Sequence, residues 1–156
     1  MPEQETLERA HRDFEKGKAP STQAGEFVRE EMHHIREGKH GARSAKQAIA
    51  IGLSKARRAG VKLPPPAKGL ASRKTRRSAA SAYRKGQRGQ RPSAQRSRSR
   101  LRALRREGRS AASHRALSRQ TRSAARRRSA SSRSAAARKA ARTRSQERWA
   151  SSRSSR

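Results

Sequence analysis

Arginine and lysine are the residues of this sequence whose number and spacing could do chemistry, and that chemistry is the binding of polyanions. Residues 67–156 carry 30 of the chain's 43 lysines and arginines, against only two acids, Glu107 and Glu147. Cations this close together repel one another in a free chain. A phosphate backbone converts the same charges into binding energy, because it releases condensed counterions. The segment therefore predicts a nucleic-acid partner, and we expect DNA rather than RNA.

The cations expected to contact phosphate lie on both sides of a central proline run. Arginine pairs with phosphate through two parallel hydrogen bonds and can enter narrow minor grooves, and neither contact reads a base sequence. The candidate nucleic-acid-binding residues are Lys46, Lys55, Arg57, Arg58, Arg73, Lys74, Arg76, Arg77, Arg105, Arg106, Arg126, Arg127, Arg128, Arg138, Lys139 and Arg142.

Imidazoles and carboxylates close together in the sequence raise the question of a metal site. His33, His34 and His40 follow shortly after Glu30 and Glu31. Adjacent histidines project about 100° apart on a helix, and the zinc-protease spacing His-Glu-x-x-His is missing. We therefore expect surface histidines on an acidic helix, with no metal ligands and no cofactor.

The sequence lacks the patterns that support catalysis or export. Cysteine is absent, which excludes disulfides, thiolate metal sites and cysteine nucleophiles. There is no glycine-rich phosphate loop and no nucleophile elbow, so we expect a protein that is not an enzyme. The first five residues are acidic where a signal peptide would be basic, and no apolar run could span a bilayer. These features predict a protein of the cytoplasm, associated with the nucleoid and not with membranes.

The charge rises in three steps along the chain, and this gradient predicts the fold class. The net charge is −3 over residues 1–37, +7 over 38–66 and +28 over 67–156. The chain is only 29% apolar, whereas globular proteins are about 45–50% apolar. The last 90 residues contain only six large apolar side chains. We therefore predict a mainly α protein with a small two- to three-helix N-terminal unit, followed by a long disordered tail rich in arginine, serine and alanine.

Residues that typically begin or end helices divide the N-terminal part into three segments. Helices are expected near residues 2–16, 22–37 and 45–59, within a helical head at 1–63. The third is the clearest, because Ser44 and Gln47 form a capping box and Gly60-Val61 is typical of a Schellman ending. Pro64–Pro66 is predicted to be a stiff linker. Residues 67–92 are expected to form a basic segment with one possible short helix, and 93–156 the disordered low-complexity tail.

Two stretches of the head resemble a known family. Gly25–Gly41 and Lys46–Pro66, the latter reading KQAIAIGLSKARRAGVKLPPP, are similar to small bacterial proteins of unknown function, with similarity over about residues 1–90. The resemblance implies a head paired with a basic low-complexity tail, and labels such as DNA-binding, histone-like or plasmid-stabilisation protein. It implies no active site.

These observations lead to one expected function and three alternatives. We expect a histone-like, nucleoid-associated protein that binds and compacts DNA without sequence preference through contacts between tail arginines and phosphate. The helix pair of the head could instead be a helix-turn-helix that enters the major groove. The head could also be a protein-interaction or self-association module, in plasmid maintenance for example, that the tail anchors to nucleic acid. In the third alternative the partner is RNA or the ribosome.

Overall fold

The computed structural model describes residues 2–90 and 92–154, with side chains throughout except at 147 and 150–154. Residues 155 and 156 of the predicted tail lie outside the described residues. The described chain forms seven α-helices and a short 3-10 turn at Ser110–Ala112. The helices are α1 (Gln4–Glu15), α2 (Pro20–Arg36), α3 (Ala45–Arg58), α4 (Arg73–Gln87), α5 (Ala94–Arg105), α6 (His114–Arg126) and α7 (Ala130–Ser154).

Capping defines the two ends of α3, although the Gln47 side chain bonds the amide of Arg43 and not that of Ser44 as the capping box predicted. The Ser44 hydroxyl accepts a hydrogen bond from the Gln47 amide at 3.2 Å, while Oε1 of Gln47 accepts from the Arg43 amide at 2.8 Å. At the other end, Gly60 adopts a φ of 97°, and the Val61 amide donates to Ala56 at 3.1 Å. This is the bond of a Schellman ending. Helix α3 therefore begins and ends where local hydrogen bonding dictates.

The core of the first compact unit, Met1–Leu117, is built largely from alanine and glycine. One apolar cluster joins α1, α2 and α3 through Ala10, Ala24, Phe27 and Ala56. Gly52 lets α3 approach α2 closely, because a Cβ built there would lie 2.7 Å from the Cα of Val28. Small residues thus allow backbone-to-backbone packing in a chain that has few large apolar side chains.

The predicted long disordered tail is wrong, because residues beyond the proline run help to form this unit. Ala111 and Ala112 pack in a second cluster with Met32, Ile35, Ala42 and Ala48, and Leu117 packs against that cluster. The backbone of residues 41–42 pairs with this region, since the Gly41 amide donates to Leu104 and the Ala42 amide to Gly108 at 2.9 and 3.0 Å. The first unit therefore continues well past Pro64–Pro66.

In the second compact unit, Ser118–Arg156, the described residues are helical up to 126, as part of α6, and then over the whole of α7. Serine caps both helices of this region: the hydroxyl of Ser113, which precedes α6 and lies in the first unit, accepts from the Ala116 amide, and that of Ser129 accepts from the Ser132 amide, each at 3.2 Å. Alanine and arginine have high helix propensity. Capping and propensity thus explain why this segment is helical although Trp149 is its only large apolar residue.

No helix in the described part of the chain is long and apolar enough to cross a membrane.

Candidate nucleic-acid interface

Helix α5 carries an arginine face that we define as Arg98, Arg102 and Arg105. Their spacing of four and three residues places them on one side of the helix, within about 60° of arc. All three are exposed, and together with Leu101 and Arg106 they line a shallow depression. Guanidinium groups gathered in this way can bind anions, since each can donate two hydrogen bonds to one phosphate.

Helix α6 carries a second arginine face, defined as Arg119, Arg122 and Arg126. These residues also repeat at the helical spacing and are exposed. They line a shallow depression with Ser123 and Arg127. The three Cα positions extend over about 10 Å of helix, given a rise of 1.5 Å per residue. A row of this kind can contact successive phosphates along one strand.

Helix α7 carries cations on several sides. Arg133, Arg138, Lys139, Arg142 and Arg144 are exposed, and at 100° per residue they are spread around the helix axis. The helix has no described buried side chain, and its surface is polar or alanine apart from the exposed Trp149. Such a helix can meet phosphate from more than one direction.

Most of the predicted site residues lie on exposed surface. In the first unit the exposed set is Lys46 on α3, Arg73, Lys74 and Arg77 on α4, Arg105 at the end of α5 and Arg106 directly after it. In the second unit the exposed set is Arg126, Arg127, Arg128, Arg138, Lys139 and Arg142. Within their own units, these residues present charge to solvent and not to a core.

Four predicted contacts are wholly or partly directed into the protein. Arg57 is 7% exposed, and its guanidinium donates to the carbonyls of Leu63 and Pro64 at 3.1 Å each. Burial lowers the pKa of Arg57 from its ordinary value. Arg58 and Arg76 are half-buried. The fourth residue, Lys55, pairs with acids of α2.

Lys55 joins α3 to two buried carboxylates. Its ammonium lies 3.0 Å from Oε1 of Glu30 and 2.7 Å from Oε2 of Glu31, whose side chains are 1% and 0% exposed. Burial acts to lower the pKa of Lys55, but the negative charges of Glu31 and Glu30 outweigh it, and the pKa is raised overall. This lysine is charged and used internally, so it is not available for a phosphate.

The expectation that the histidines lie on the surface is wrong for two of the three. His33 is exposed, whereas His34 and His40 are 9% and 7% exposed. His40 comes from the loop after α2 and places Nε2 3.2 Å from Oε1 of Glu31. The sequence offered one signal, because Glu31 and His34 are three residues apart and share a helix face. The return of the loop to that face follows from tertiary packing.

The N-terminal segment closes over this buried cluster. Oε1 of Glu3 lies 2.8 Å from Nε2 of His34 and 3.0 Å from the ammonium of Lys39. The hydrogen bonds from His34 and Lys39 lower the pKa of the Glu3 carboxyl to about 2. The acids of the head are thus largely engaged in contacts within the head.

Sequence reasoning also missed several exposed arginines. Arg98, Arg102, Arg119 and Arg122 complete the two arginine faces but were not among the predicted contacts. The signal was present as repeats of three and four residues between arginines. It was not used because the segment was expected to be disordered, and a helix face has no meaning in a disordered chain.

Comparison with known proteins gives one match. Residues 3–67 match the model of a family of unknown function, DUF6496. The matched segment contains α1, α2 and α3 and ends just after the proline run. A search of curated proteins and a search of solved structures found no match to the chain. The head is therefore similar to a family of unknown function, and this similarity assigns no activity.

Proposed function

We propose that this protein binds nucleic acid without sequence preference and compacts DNA, through phosphate contacts made by arginines of α4 to α7. The observation that carries the proposal is the repetition of exposed arginines at helical spacing on α5 and α6. Residues 67–156, which contain these helices, include only two acids. Rows of cations with almost no anions between them are typical of surfaces that follow a phosphate backbone.

The helical structure of the cation-rich segments supports nucleic-acid binding beyond what their charge alone supports. A cation-rich helix fits the major groove of DNA, which is about 12 Å wide. The 25 residues of α7 extend over about 37 Å at 1.5 Å per residue, which corresponds to about 11 base pairs of duplex. Arg138 and Arg144 project about 120° apart on this helix. One helix can therefore contact two duplexes at once, which is the geometry that compaction requires.

The acids of the head do not oppose this binding, because many of them are neutralised internally. Glu30 and Glu31 pair with Lys55, and Glu26 accepts a hydrogen bond from Arg9 at 2.7 Å. The formal net charge of residues 1–37 is nevertheless −3. We infer that the nucleic acid contacts exposed cations of α4 to α7 and not the surfaces of α1 and α2.

The side chains of the interface explain the absence of sequence preference. Base recognition in the major groove depends on paired contacts, such as those from asparagine or glutamine to adenine and from arginine to guanine. The chain contains no asparagine. The arginine faces of α5 and α6 repeat guanidinium groups at helical spacing, which suits contacts with successive phosphates. Phosphate contacts then dominate the affinity, and they are the same for every sequence.

Competition binding tests the proposal on the full chain. A labelled random-sequence duplex would be displaced by unlabelled duplexes of unrelated sequence and by structured RNA, all at matched phosphate concentration. We expect the duplexes to compete equally, and RNA to compete less well. Preference for one duplex sequence by a factor of about 10³ or more, the range of specific binding proteins, would contradict the proposal. Equal or better competition by RNA would assign the same arginine surface to RNA.

A further inference from the structure

The cluster of buried ionisable groups between α2, the loop that follows it and α3 is not accounted for by nucleic-acid binding. Glu31, His34 and His40 each offer one ligand atom, and these three atoms lie within 4.8 Å of one another. We propose that these side chains bind a divalent transition-metal cation of the Zn²⁺ class. This site is independent of the arginine surfaces and does not rest on the proposed function.

The strongest argument is the hydrogen bonding of His40. Its Nδ1 lies 3.1 Å from the carbonyl oxygen of Gly41, which can only accept, so Nδ1 carries the proton. Its Nε2 lies 3.2 Å from Oε1 of Glu31, so an imidazole nitrogen and a carboxylate oxygen point into one buried space where a single cation can contact both. Histidine ligands of metals commonly have this arrangement, with the other ring nitrogen bonded to a carbonyl.

The Glu31 carboxylate is buried with part of its hydrogen-bonding capacity unused. Its side chain is fully buried, and Oε1 accepts no hydrogen bond of good geometry among the described residues. Lys55 lies 2.7 Å from Oε2 and neutralises part of the charge, but Oε1 faces only His40 within ion-pairing distance among the described groups. A buried carboxylate oxygen without a hydrogen bond is costly. A metal ion at Oε1 would satisfy it.

His34 is held in the same way. Its Nε2 lies 2.8 Å from Oε1 of Glu3, and its Nδ1 lies 3.9 Å from Oε1 of Glu30. When Nε2 donates its proton to Glu3, Nδ1 is left with a lone pair for a metal. A carboxylate behind an imidazole orients the ring and increases its basicity as a ligand. Both histidines therefore have the outer contacts that metal ligands need.

The distances and the charge suit a small divalent ion. Ligand bonds of about 2.0–2.2 Å in a tetrahedral site place ligand atoms roughly 3.3–3.6 Å apart. His40 and Glu31 are already close to this spacing at 3.2 Å, and the spread of up to 4.8 Å over all three ligand atoms would close around an ion by small side-chain movements. Three carboxylates, from Glu3, Glu30 and Glu31, meet two ammonium groups, from Lys39 and Lys55. One negative charge remains in excess. Two imidazoles and one carboxylate are ligands that zinc and its neighbours accept.

A metal at this position would link two parts of a head whose core is thin. Glu31 and His34 belong to α2, and His40 belongs to the loop that leads into α3. Small domains with few large apolar residues are often stabilised by a structural metal. The site would therefore contribute to folding and not to chemistry at a substrate.

The test uses the full chain, freed of metal with a chelator and titrated with Co²⁺. Tetrahedral Co²⁺ has a visible absorption spectrum, and Zn²⁺ should displace it. We expect one Co²⁺ per chain, with the affinity reduced roughly 100-fold or more in His40→Ala and in Glu31→Gln, since loss of a mere outer-shell group costs 10–100-fold. The control is the triple variant His11→Ala, His33→Ala, His114→Ala, in which His34 and His40 are the only histidines left.

The control variant should bind one ion with unchanged affinity. Loss of binding in this triple variant, or full binding in His40→Ala, would overturn the proposal, because the ion would then lie on surface histidines. X-ray absorption of the Zn²⁺-loaded unmodified chain covers the case in which a variant fails to fold. Two imidazole ligands and one or more oxygen ligands are expected. A spectrum with water oxygens alone, or no uptake of metal, would contradict the site.

Discussion

The ammonium of Lys55 on α3 lies 2.7 Å from Oε2 of Glu31 on α2, a carboxylate with no exposed surface. The position of Glu31 on the apolar side of α2 calls for a cation, and α3 supplies it. The same lysine reaches Oε1 of Glu30 at 3.0 Å. A residue that appears in sequence to be one more cation for phosphate thus joins the two helices that form the centre of the head.

Replacing Lys55 tests the energetic importance of this contact. Lys55→Met should lower the free energy of unfolding by roughly 3 kcal/mol, because it leaves a buried carboxylate without its cation. The side chain is 23% exposed, so we expect a loss at the low end of the range found when one partner of a buried ion pair is removed. The double variant Glu31→Gln, Lys55→Met should recover part of the loss. Urea denaturation measures both, with Lys46→Met, at an exposed lysine of the same helix, as the control. A loss in Lys55→Met no larger than in the control would refute the structural role.

Gly52 tests the close packing of α3 against α2. Gly52→Ala should destabilise the protein by about 1–3 kcal/mol, because the new methyl group overpacks against backbone. The built Cβ lies 3.0 Å from the carbonyl oxygen of Phe27. Gly25→Ala is the matched variant, since a Cβ at that position in α2 meets nothing within 4 Å.

Gly25→Ala should stabilise the protein by about 0.5–1 kcal/mol through its higher helix propensity. Thermal denaturation of the two variants gives the comparison. If both glycine variants shifted the melting temperature in the same direction, the two helices would not pack as closely as the structure shows.

Leu104 tests whether the segment after the proline run belongs to the folded unit. Its side chain is 8% exposed, while Leu101, one turn earlier, is 37% exposed. Leu104→Ala should cost about 2–4 kcal/mol, as expected for a buried leucine. Leu101→Ala should cost much less. Amide hydrogen exchange on the same variants locates the effect: Leu104→Ala should increase exchange at Gly41 and Ala42, whose amides donate to this region. Unchanged protection there would show that the segment is not docked.

The sequence predicted those parts of the fold that depend on local hydrogen bonding. The bounds of α3 follow from Ser44 and Gly60, and both act as predicted. The prediction of a disordered tail was wrong because it counted large apolar residues and did not consider how small residues pack. Ala111 and Ala112 are 3% and 1% exposed, and contribute to the core through close approach.

The candidate sites also divide into features that the sequence shows and features that depend on tertiary structure. The surplus of arginine was visible in the sequence, but the arginine faces of α5 and α6 require a helix to define them. His40 is separated from Glu31 by a helix end and a turn, and its contact with Glu31 depends on how that loop folds back. Contacts of this kind are set by tertiary packing and cannot be read from spacing.

The α6 arginine face tests which surface meets nucleic acid. Replacing Arg119, Arg122 and Arg126 with glutamine should weaken binding to duplex DNA and reduce the slope of log affinity against log salt by about 2–3 units, one for each lost phosphate contact. The matched control replaces three exposed cations with glutamine: Arg12 on α1, Lys16 just after α1 and Arg29 on α2. Fluorescence anisotropy of a labelled duplex gives both slopes. An equal reduction in the control would show that total charge, and not this surface, governs binding.

The most direct measurement is the salt dependence of duplex DNA binding by the full chain, followed through the fluorescence of Trp149, the only tryptophan. If at least ten phosphates are contacted, the affinity should fall about 10⁵-fold between 50 and 200 mM salt, with the same slope for unrelated sequences. Binding that is undetectable at low salt, or that changes less than about tenfold over this range, would contradict the account, since phosphate contacts by six or more cations cannot give so shallow a dependence.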